Sequence, residues 1–415
     1  MVPKGWEDYT LSEITKWSSG GTPSKSSKEY WNGDIPWISA SSMRGHYYSD
    51  SDLKITELAV SEKAKMADKD NILLLVRGSM LWNKIPVGIT TRRVAFNQDV
   101  KCISPILSKL DIDFLLYWFL AKENQLMGMV TGTGIGAGKL DTNDLQSLNV
   151  LLPPLLEQQK IAEILSTWDK AISTTERLIE NSTQQKKALM QQLLTGKKRL
   201  LDNKGKRFEG EWELKKVSDY FDVSSSKRVL QEDWKDEGVP FYRTRELVSL
   251  AKNEPFRSSI YIAEDYYEEL ITKYGMPDEG DFLVSGVGTL GIIYQVREND
   301  KFYFKDGNVL WFKKEKEVSS DFFKYCFLSD YIQNQINIQA SVTTVGTYTI
   351  TNAKKTRFHC PPLAEQQKIA TVLTNADKEI ELLEQQLADL QQEKKALMQV
   401  LLTGKKRVVV NGEVA

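Results

Sequence analysis

The 415-residue chain is long enough for two or three domains, and its 41% hydrophobic content is ordinary for a globular protein. Its 55 Lys and Arg against 56 Asp and Glu leave a net charge of −1, which counts against a protein that grips nucleic acid alone by wholesale phosphate neutralisation. No apolar run reaches membrane length, Met1 to Trp6 lacks a signal peptide's apolar core, and Cys102, Cys326 and Cys360 show neither metal nor disulfide spacing, so the expected location is the cytoplasm with no membrane partner.

Residues 1–152 mix short strand-like runs, turn clusters and short helices and are read as a first domain. The Ser18 to Ser24 loop offers hydroxyls, backbone amides and small residues suited to close backbone approach; it reads equally well as a plain surface turn. Trp37 lies in an apolar run and is assigned to the core. Thr131 to Leu140 superficially resembles a phosphate loop, but Thr133 stands where glycine is needed and Leu140 where the magnesium-binding hydroxyl belongs. It is expected to be a flexible loop entering the next element.

Residues 153–205 form the second segment. Pro153-Pro154 stands before or in the first turn of a long helix, because proline lacks the amide an interior bond needs. Ile161, Leu165, Trp168, Ile172, Thr175, Ile179, Ser182, Lys186, Leu189 and Leu193 recur at alternating steps of four and three, a heptad seam with a polar middle. Gly196 then supplies a left-handed cap. Residues 206–360 return to mixed texture, with Phe241 assigned to the core, and residues 361–415 form a second long helix. Its seam is Ile369, Leu373, Ala376, Ile380, Leu383, Leu387, Leu390, Lys394, Leu397 and Leu401, closed by Gly404. Forty-odd helical residues reach about 60 Å.

The two helical segments are copies. Residues 153–199 and 361–407 align without a gap at an offset of 208, with about 28 of 47 positions identical. The globular segments share fainter landmarks: Trp6 with Trp212, Gly33 to Ile38 with Glu237 to Tyr242, Asp70 to Leu73 with Glu279 to Leu283, and Gly138-Lys139-Leu140 with Gly346-Thr347-Tyr348. The chain is thus two half-chains, each a domain followed by a long helix. An apolar stripe on so long a helix needs a partner, and the economical partner is its duplicate. The expected fold class is α+β: two mixed α/β domains and two long helices pairing as a coiled coil, with a pseudo-two-fold internal repeat.

Taken together, Gly5-Trp6, Gly20-Gly21-Thr22-Pro23-Ser24, Tyr30 to Ser39, the duplicated Pro-Pro-Leu-x-Glu-Gln-Gln-Lys-Ile-Ala and the closing Leu-Leu-Thr-Gly-Lys-Lys-Arg carry a resemblance over essentially the whole chain. It resembles the specificity subunit of type I restriction-modification systems. The second domain departs from the pattern, having Ser224-Ser225-Ser226-Lys227-Arg228 near the place of Gly-Gly-Thr-Pro. The resemblance implies two target-recognition domains, each reading half of a split, asymmetric site on double-stranded DNA. It implies antiparallel helices acting as a ruler for the gap. It also implies two adenine-N6 methyltransferase subunits using S-adenosylmethionine, and two motor-nuclease subunits using ATP and Mg.

Candidate DNA contacts follow from the chemistry of readout, in which side chains reach base edges while hydroxyls, amides and cations hold phosphates. In the first domain they are Ser19, Gly20, Gly21, Thr22 and Ser24, then Ser39, Ser41 and Arg44, with Arg77, Arg92, Arg93 and Lys139 as weaker candidates. In the second they are Lys227, Arg228, Arg243, Thr244, Arg245, Lys305 and Thr344. Arg243 and Arg245 could each fork onto a guanine, or bridge to Glu246 instead. The near-identity of the helix copies at positions expected to be exposed points to two equal docking sites, with Glu157, Gln158, Lys160, Lys187 and Gln191 in one copy and Glu365, Gln366, Lys368, Lys395 and Gln399 in the other. The basic clusters at 197–199, 204–207 and 405–407 read, taken singly, as solvated helix ends.

No catalytic or metal constellation is expected. Neither Pro-Pro pair has the preceding Asp or Asn and following aromatic that adenine methyltransferases use, and His46 and His359 lack clustered partners. The expectation is a chain with no activity or cofactor of its own. Competing readings are the specificity subunit of a system with a fused nuclease-methyltransferase, a coiled-coil adaptor that binds proteins only, and, least favoured, a standalone enzyme.

Overall fold

The computed structural model describes residues 2–62, 64–106, 108–134, 136–252, 254, 260–340 and 346–410, with the backbone of 413–414. They form two compact units, Met1–Glu176 with Gln385–Ala415, and Arg177–Glu384. The division falls inside each long helix. Each unit therefore combines one globular segment, the first half of the helix that follows it, and the last half of the other helix.

Those helices span Leu155–Leu193 and Leu363–Leu401. Each starts where a proline carbonyl caps two amides: Pro154 accepts from Glu157 and Gln158 at 2.9 and 3.1 Å, and Pro362 from Glu365 and Gln366 at the same distances. Each stops at a glycine with φ near +70°, Gly196 and Gly404, which a β-carbon would strain. There the amides of Lys198 and Lys406 reach back to Gln192 and Val400 at 3.1 Å. No helix among the described residues is long and apolar enough to cross a membrane.

In the first unit a five-stranded sheet runs in the order Thr15–Ser19, Val100–Pro105, Ile72–Leu75, Val87–Thr90, Tyr47–Tyr48, antiparallel except for its last pair. The uninterrupted apolar run Ile72–Leu75 is fully buried, as a strand covered on both faces must be. Helix Ile112–Ala121, capped by the Asp111 side chain, buries Phe114 to Phe119 in the same core. A second sheet places Trp31–Ile38 between Lys54–Ile55 and Val94–Phe96, parallel to the latter, with Lys65–Ala67 beyond. Glu7–Thr10 pairs with Asn149–Leu152, which leads into the first long helix.

The second unit repeats this plan. Its antiparallel sheet is Phe221–Ser225, Val309–Lys314, Phe282–Ser285, Ile293–Gln295. Val239–Tyr242 lies parallel to Tyr303–Phe304, and Glu213–Lys216 pairs with Arg357–Cys360 ahead of the second long helix. Helix Ser320–Leu328 buries Phe322, Phe323, Tyr325, Cys326 and Phe327. Trp37 and Phe241 are core residues, as their apolar surroundings require.

Within each unit the two helix halves pack antiparallel. Ile161 and Leu165 share the first core with Leu397 and Leu401, and Ile369 and Leu373 share the second with Leu189 and Leu193. The remaining seam residues are half-buried, Thr175 excepted, which is buried. Two seam positions hold lysine, and the ion pairs described below show why. One expectation is corrected here. The glycine-rich stretch is not a loop entering the helix but a hairpin, Thr131–Gly132 with Gly138–Lys139, whose second strand also pairs with Arg77–Gly78. Its turn is closed by the Thr133 amide and hydroxyl, both donating to the Ala137 carbonyl at 2.8 Å.

Candidate nucleic-acid interface

In the first unit, parallel pairing of Trp31–Ile38 with Val94–Phe96 brings three segments to one strand end. The Asn97 amide donates to the Ile38 carbonyl at 3.0 Å, and the Gly21 amide to the Phe96 carbonyl at 2.9 Å. A β-carbon on Gly20 would stand 2.1 Å from the Asn97 carbonyl oxygen, so glycine is required there by the chain's own backbone. The Gly21 amide is therefore not free for a ligand, and Gly20 is a glycine for the sake of the neighbouring strand; of the two readings of this loop, the turn held by its own backbone is the one these contacts favour. Thr22 donates to the Gln98 side chain, and Lys101 to Ser19 at 2.6 Å. Beside them lies the turn Ala40–Ser42, with the Ser39 and Ser41 hydroxyls 3.1 Å apart. Ser19, Ser24, Ser41 and Arg44 are exposed; Thr22 and Ser39 are half-buried.

The other first-unit candidates divide. Arg77 and Lys139 are register partners across the small sheet, and Lys139 pairs with Asp141 at 3.4 Å. Arg77 adjoins the strand-end cluster, because the Val76 amide donates to the Asp99 carbonyl at 2.8 Å. Arg92 and Arg93 sit on the exposed turn after Val87–Thr90, where Arg93 faces Asp68 at 3.6 Å.

The second unit builds the same strand end from different side chains. The Lys305 amide donates to the Tyr242 carbonyl at 2.8 Å, as Asn97 does to Ile38, and the Ser226 hydroxyl donates to the Phe304 carbonyl at 2.6 Å, where Gly21 serves in the first unit. Ser224 to Arg228 thus occupies the station of the glycine segment. Lys227 and Arg228 are exposed, with the Lys227 ammonium 5.7 Å over the exposed Tyr274 ring, and Lys305 is half-buried beside Asp306 at 3.5 Å.

Two candidates there take the alternative that the sequence left open, the bridge to Glu246. Arg243 donates to Glu246 through Nε and Nη2 at 3.2 and 2.7 Å, and Arg245 through the same atoms at 3.2 and 2.9 Å, so both forks expected on guanine are engaged by one carboxylate. Burial raises the Glu246 pKa, but the two guanidiniums outweigh it and hold the carboxyl below its ordinary value. The Thr244 hydroxyl is buried and forms no hydrogen bond among the described residues, so it is not presented on the surface. Thr344 lies outside the described residues.

On the long helices, four docking candidates turn inward. Glu157 is 1% exposed and accepts from Arg407 Nε and Nη2 at 2.7 and 2.9 Å and from Trp6 Nε1 at 3.0 Å. Glu365, fully buried, does the same for Arg199 at 2.6 and 2.7 Å and Trp212 at 3.2 Å. Gln158 accepts from the Asp111 amide at 2.8 Å and donates to the Pro153 carbonyl at 2.8 Å; Gln366 repeats this with Ser319 at 3.0 Å and Pro361 at 2.8 Å. Their identity between copies reflects a shared internal task, and Arg199 and Arg407 are not solvated helix ends. Lys160, Lys187, Gln191, Lys395 and Gln399 remain exposed and Lys368 is half-buried. Lys187 and Gln191 rim a cleft floored by Met190, Leu194, Ile332 and Phe358.

A second duplicated constellation escaped the sequence reading. Tyr117 donates to Asp169 at 2.7 Å, and Asp169 pairs with the seam residue Lys394 at 2.5 Å; Tyr325 donates to Asp377 at 2.6 Å, which pairs with Lys186. Burial first, then the carboxylate acceptor, raise both tyrosine pKa values. The signal was present, since all three residue types recur at the offset of 208. Among the described residues no group of three or more His, Cys, Asp or Glu is placed to hold a metal. The three cysteines are buried, and burial pushes the Cys102 thiol up to about 11.

Residues 3–182 and 209–392 match the family described as the type I restriction modification DNA specificity domain. The MjaVIII specificity subunit of Methanocaldococcus jannaschii is 28% identical over 98% of this chain and 94% of its own length. Among solved structures, the S subunit of a type I restriction-modification system from M. genitalium aligns with a TM-score of 0.56 at 16% identity, over 95% of this chain and 96% of that one. The HsdS subunit from Thermoanaerobacter tengcongensis aligns at 0.51 and 17% identity, over 98% of both. At those identities the structures speak for the fold alone.

Proposed function

Since this chain belongs to the type I restriction-modification DNA specificity family, we propose that each unit reads one half of a bipartite, asymmetric DNA site. The observation that carries this reading is the shared strand end. Both units hold the same backbone bonds there, Asn97 to Ile38 and Lys305 to Tyr242, yet mount serines and Thr22 on one and Lys227, Arg228 and Lys305 on the other. A fixed frame with exchanged side chains is what two different base preferences require.

The long helices set the gap between half-sites, as fixed geometry sets half-site spacing in other DNA-binding proteins. Their exposed residues dock two adenine-N6 methyltransferase subunits, with Lys187 and Gln191 in one copy and Lys395 and Gln399 in the other. The chain performs no step itself: S-adenosylmethionine belongs to the methyltransferase, and ATP and Mg to motor-nuclease subunits that join through it. A near-neutral chain suits that division, because the partners supply part of the phosphate grip.

Methylome sequencing of the host with and without the gene tests the reading. One bipartite adenine-methylated motif should vanish on deletion, and replacing residues 206–360 with those of a relative should change one half of it only. An unchanged methylome on deletion would end the proposal.

A further inference from the structure

Trp82 ends the turn Ser79–Trp82, just after Arg77–Gly78, and the residue is 47% exposed. It is not loose: Nε1 donates to the Gly136 carbonyl at 3.0 Å, and the edge of the ring lies 3.9 Å from where a β-carbon of Gly132 would stand. The hairpin therefore clamps the indole by one edge and leaves much of its apolar surface in water, at a cost that hydrophobic burial would remove.

The charges around it are set with equal disregard for isolated stability. Arg77 and Lys139 face each other directly in the antiparallel ladder, where like charges repel. Asp141, 3.4 Å from Lys139, offsets only part of this, and Arg77 forms no ion pair among the described residues. Lys84 adds a third exposed cation two residues beyond the indole. The strands holding Arg77 and Lys139 join the strand-end cluster through two backbone bonds, Val76 to Asp99 at 2.8 Å and Leu140 to Val76 at 2.9 Å.

An exposed aromatic surface anchored on Gly136, close in the fold to Arg77, to Lys84 and to a Lys139 that Asp141 only partly offsets, matches a polyanion with flat apolar faces. Resting on the reading that the first unit meets DNA, we infer that Trp82 is a DNA-contacting residue, its indole packed on a sugar or base while Arg77 and Lys139 hold neighbouring phosphates. An aromatic contact of this kind tolerates many sequences, since every base has a π-face and every sugar an apolar side. Trp82 would then set affinity and position, leaving base choice to the strand end.

The test uses the full chain assembled with its methyltransferase subunits and a duplex carrying the motif found in the methylome, against a scrambled duplex. Trp82→Ala is expected to weaken binding of the motif duplex by about 10- to 100-fold, while Trp82→Phe stays within about threefold. Arg77→Gln should lower the slope of log affinity against log salt by about one. Wild-type affinity in Trp82→Ala would overturn the assignment. So would a loss in Trp82→Phe as large as in Trp82→Ala, which would leave only the anchor on Gly136. Should Trp82→Ala lose the hairpin, Trp82→Phe and Arg77→Gln decide the matter alone. A wild-type complex blind to the motif would instead defeat the half-site reading, so the two failures are distinguishable.

Discussion

Replacing Arg407 with alanine strips the buried Glu157 carboxylate of both guanidinium bonds, at 2.7 and 2.9 Å, and leaves it the Trp6 indole N–H at 3.0 Å. Breaking a buried pair from one side costs about 3–5 kcal/mol, because the remaining charge stays desolvated. The surviving Trp6 bond places the expected loss near the lower end, about 3 kcal/mol, or roughly a 100-fold rise in local opening. Arg407 also donates to the Lys4 carbonyl at 2.8 Å, so the damage should centre on the seam joining the chain's beginning to its end. Hydrogen exchange followed by mass spectrometry reads this locally: peptides over Glu7–Thr10, Asn149–Leu152 and the start of the first long helix should exchange faster, while Glu213–Lys216 and Arg357–Cys360 should not. Arg199→Ala should give the reciprocal pattern through Glu365. Adding Glu157→Gln to Arg407→Ala should recover part of the loss, since an amide tolerates burial and still accepts from Trp6. A loss below about 1 kcal/mol, or faster exchange spread equally over both units, would refute the reasoning.

Tyr117→Phe should cost about 1–2 kcal/mol by removing the hydrogen bond to Asp169, measured by urea denaturation, with no change in the motif read. Gly20→Ala must push the Asn97 backbone aside and should destabilise the first unit by about 1–3 kcal/mol, seen as a lower urea midpoint. Glu246 has a depressed folded pKa, so its stabilisation is present above its ordinary value of 4.5 and is lost as pH falls through the lower folded value. Urea titrations at pH 7 and pH 4 should therefore converge more closely for Glu246→Gln than for the wild type. Lys187→Glu and Lys395→Glu should each cost one methyltransferase copy, read as complex mass by native mass spectrometry.

What the sequence determined by itself was everything periodic or punctuated. The heptad steps, the Pro-Pro starts and the Gly196 and Gly404 stops located both long helices, because helix geometry and capping are local properties that a short window of residues encodes. The duplication gave the two-part plan. What only the tertiary structure decided was the use of identical residues. Glu157, Gln158, Glu365 and Gln366 read as an exposed docking face because their partners lie far off along the chain, Arg407 being 250 residues from Glu157. The sequence left Arg243 and Arg245 open between guanine and Glu246, and the glycines at 20 and 21 open between a ligand cradle and a plain turn; the fold decided by burying Glu246 against both guanidiniums and setting Asn97 and Phe96 against the glycines. Burial and pairing depend on which distant segments fold together, and a side chain's type fixes what it is able to bond, not which neighbour reaches it first.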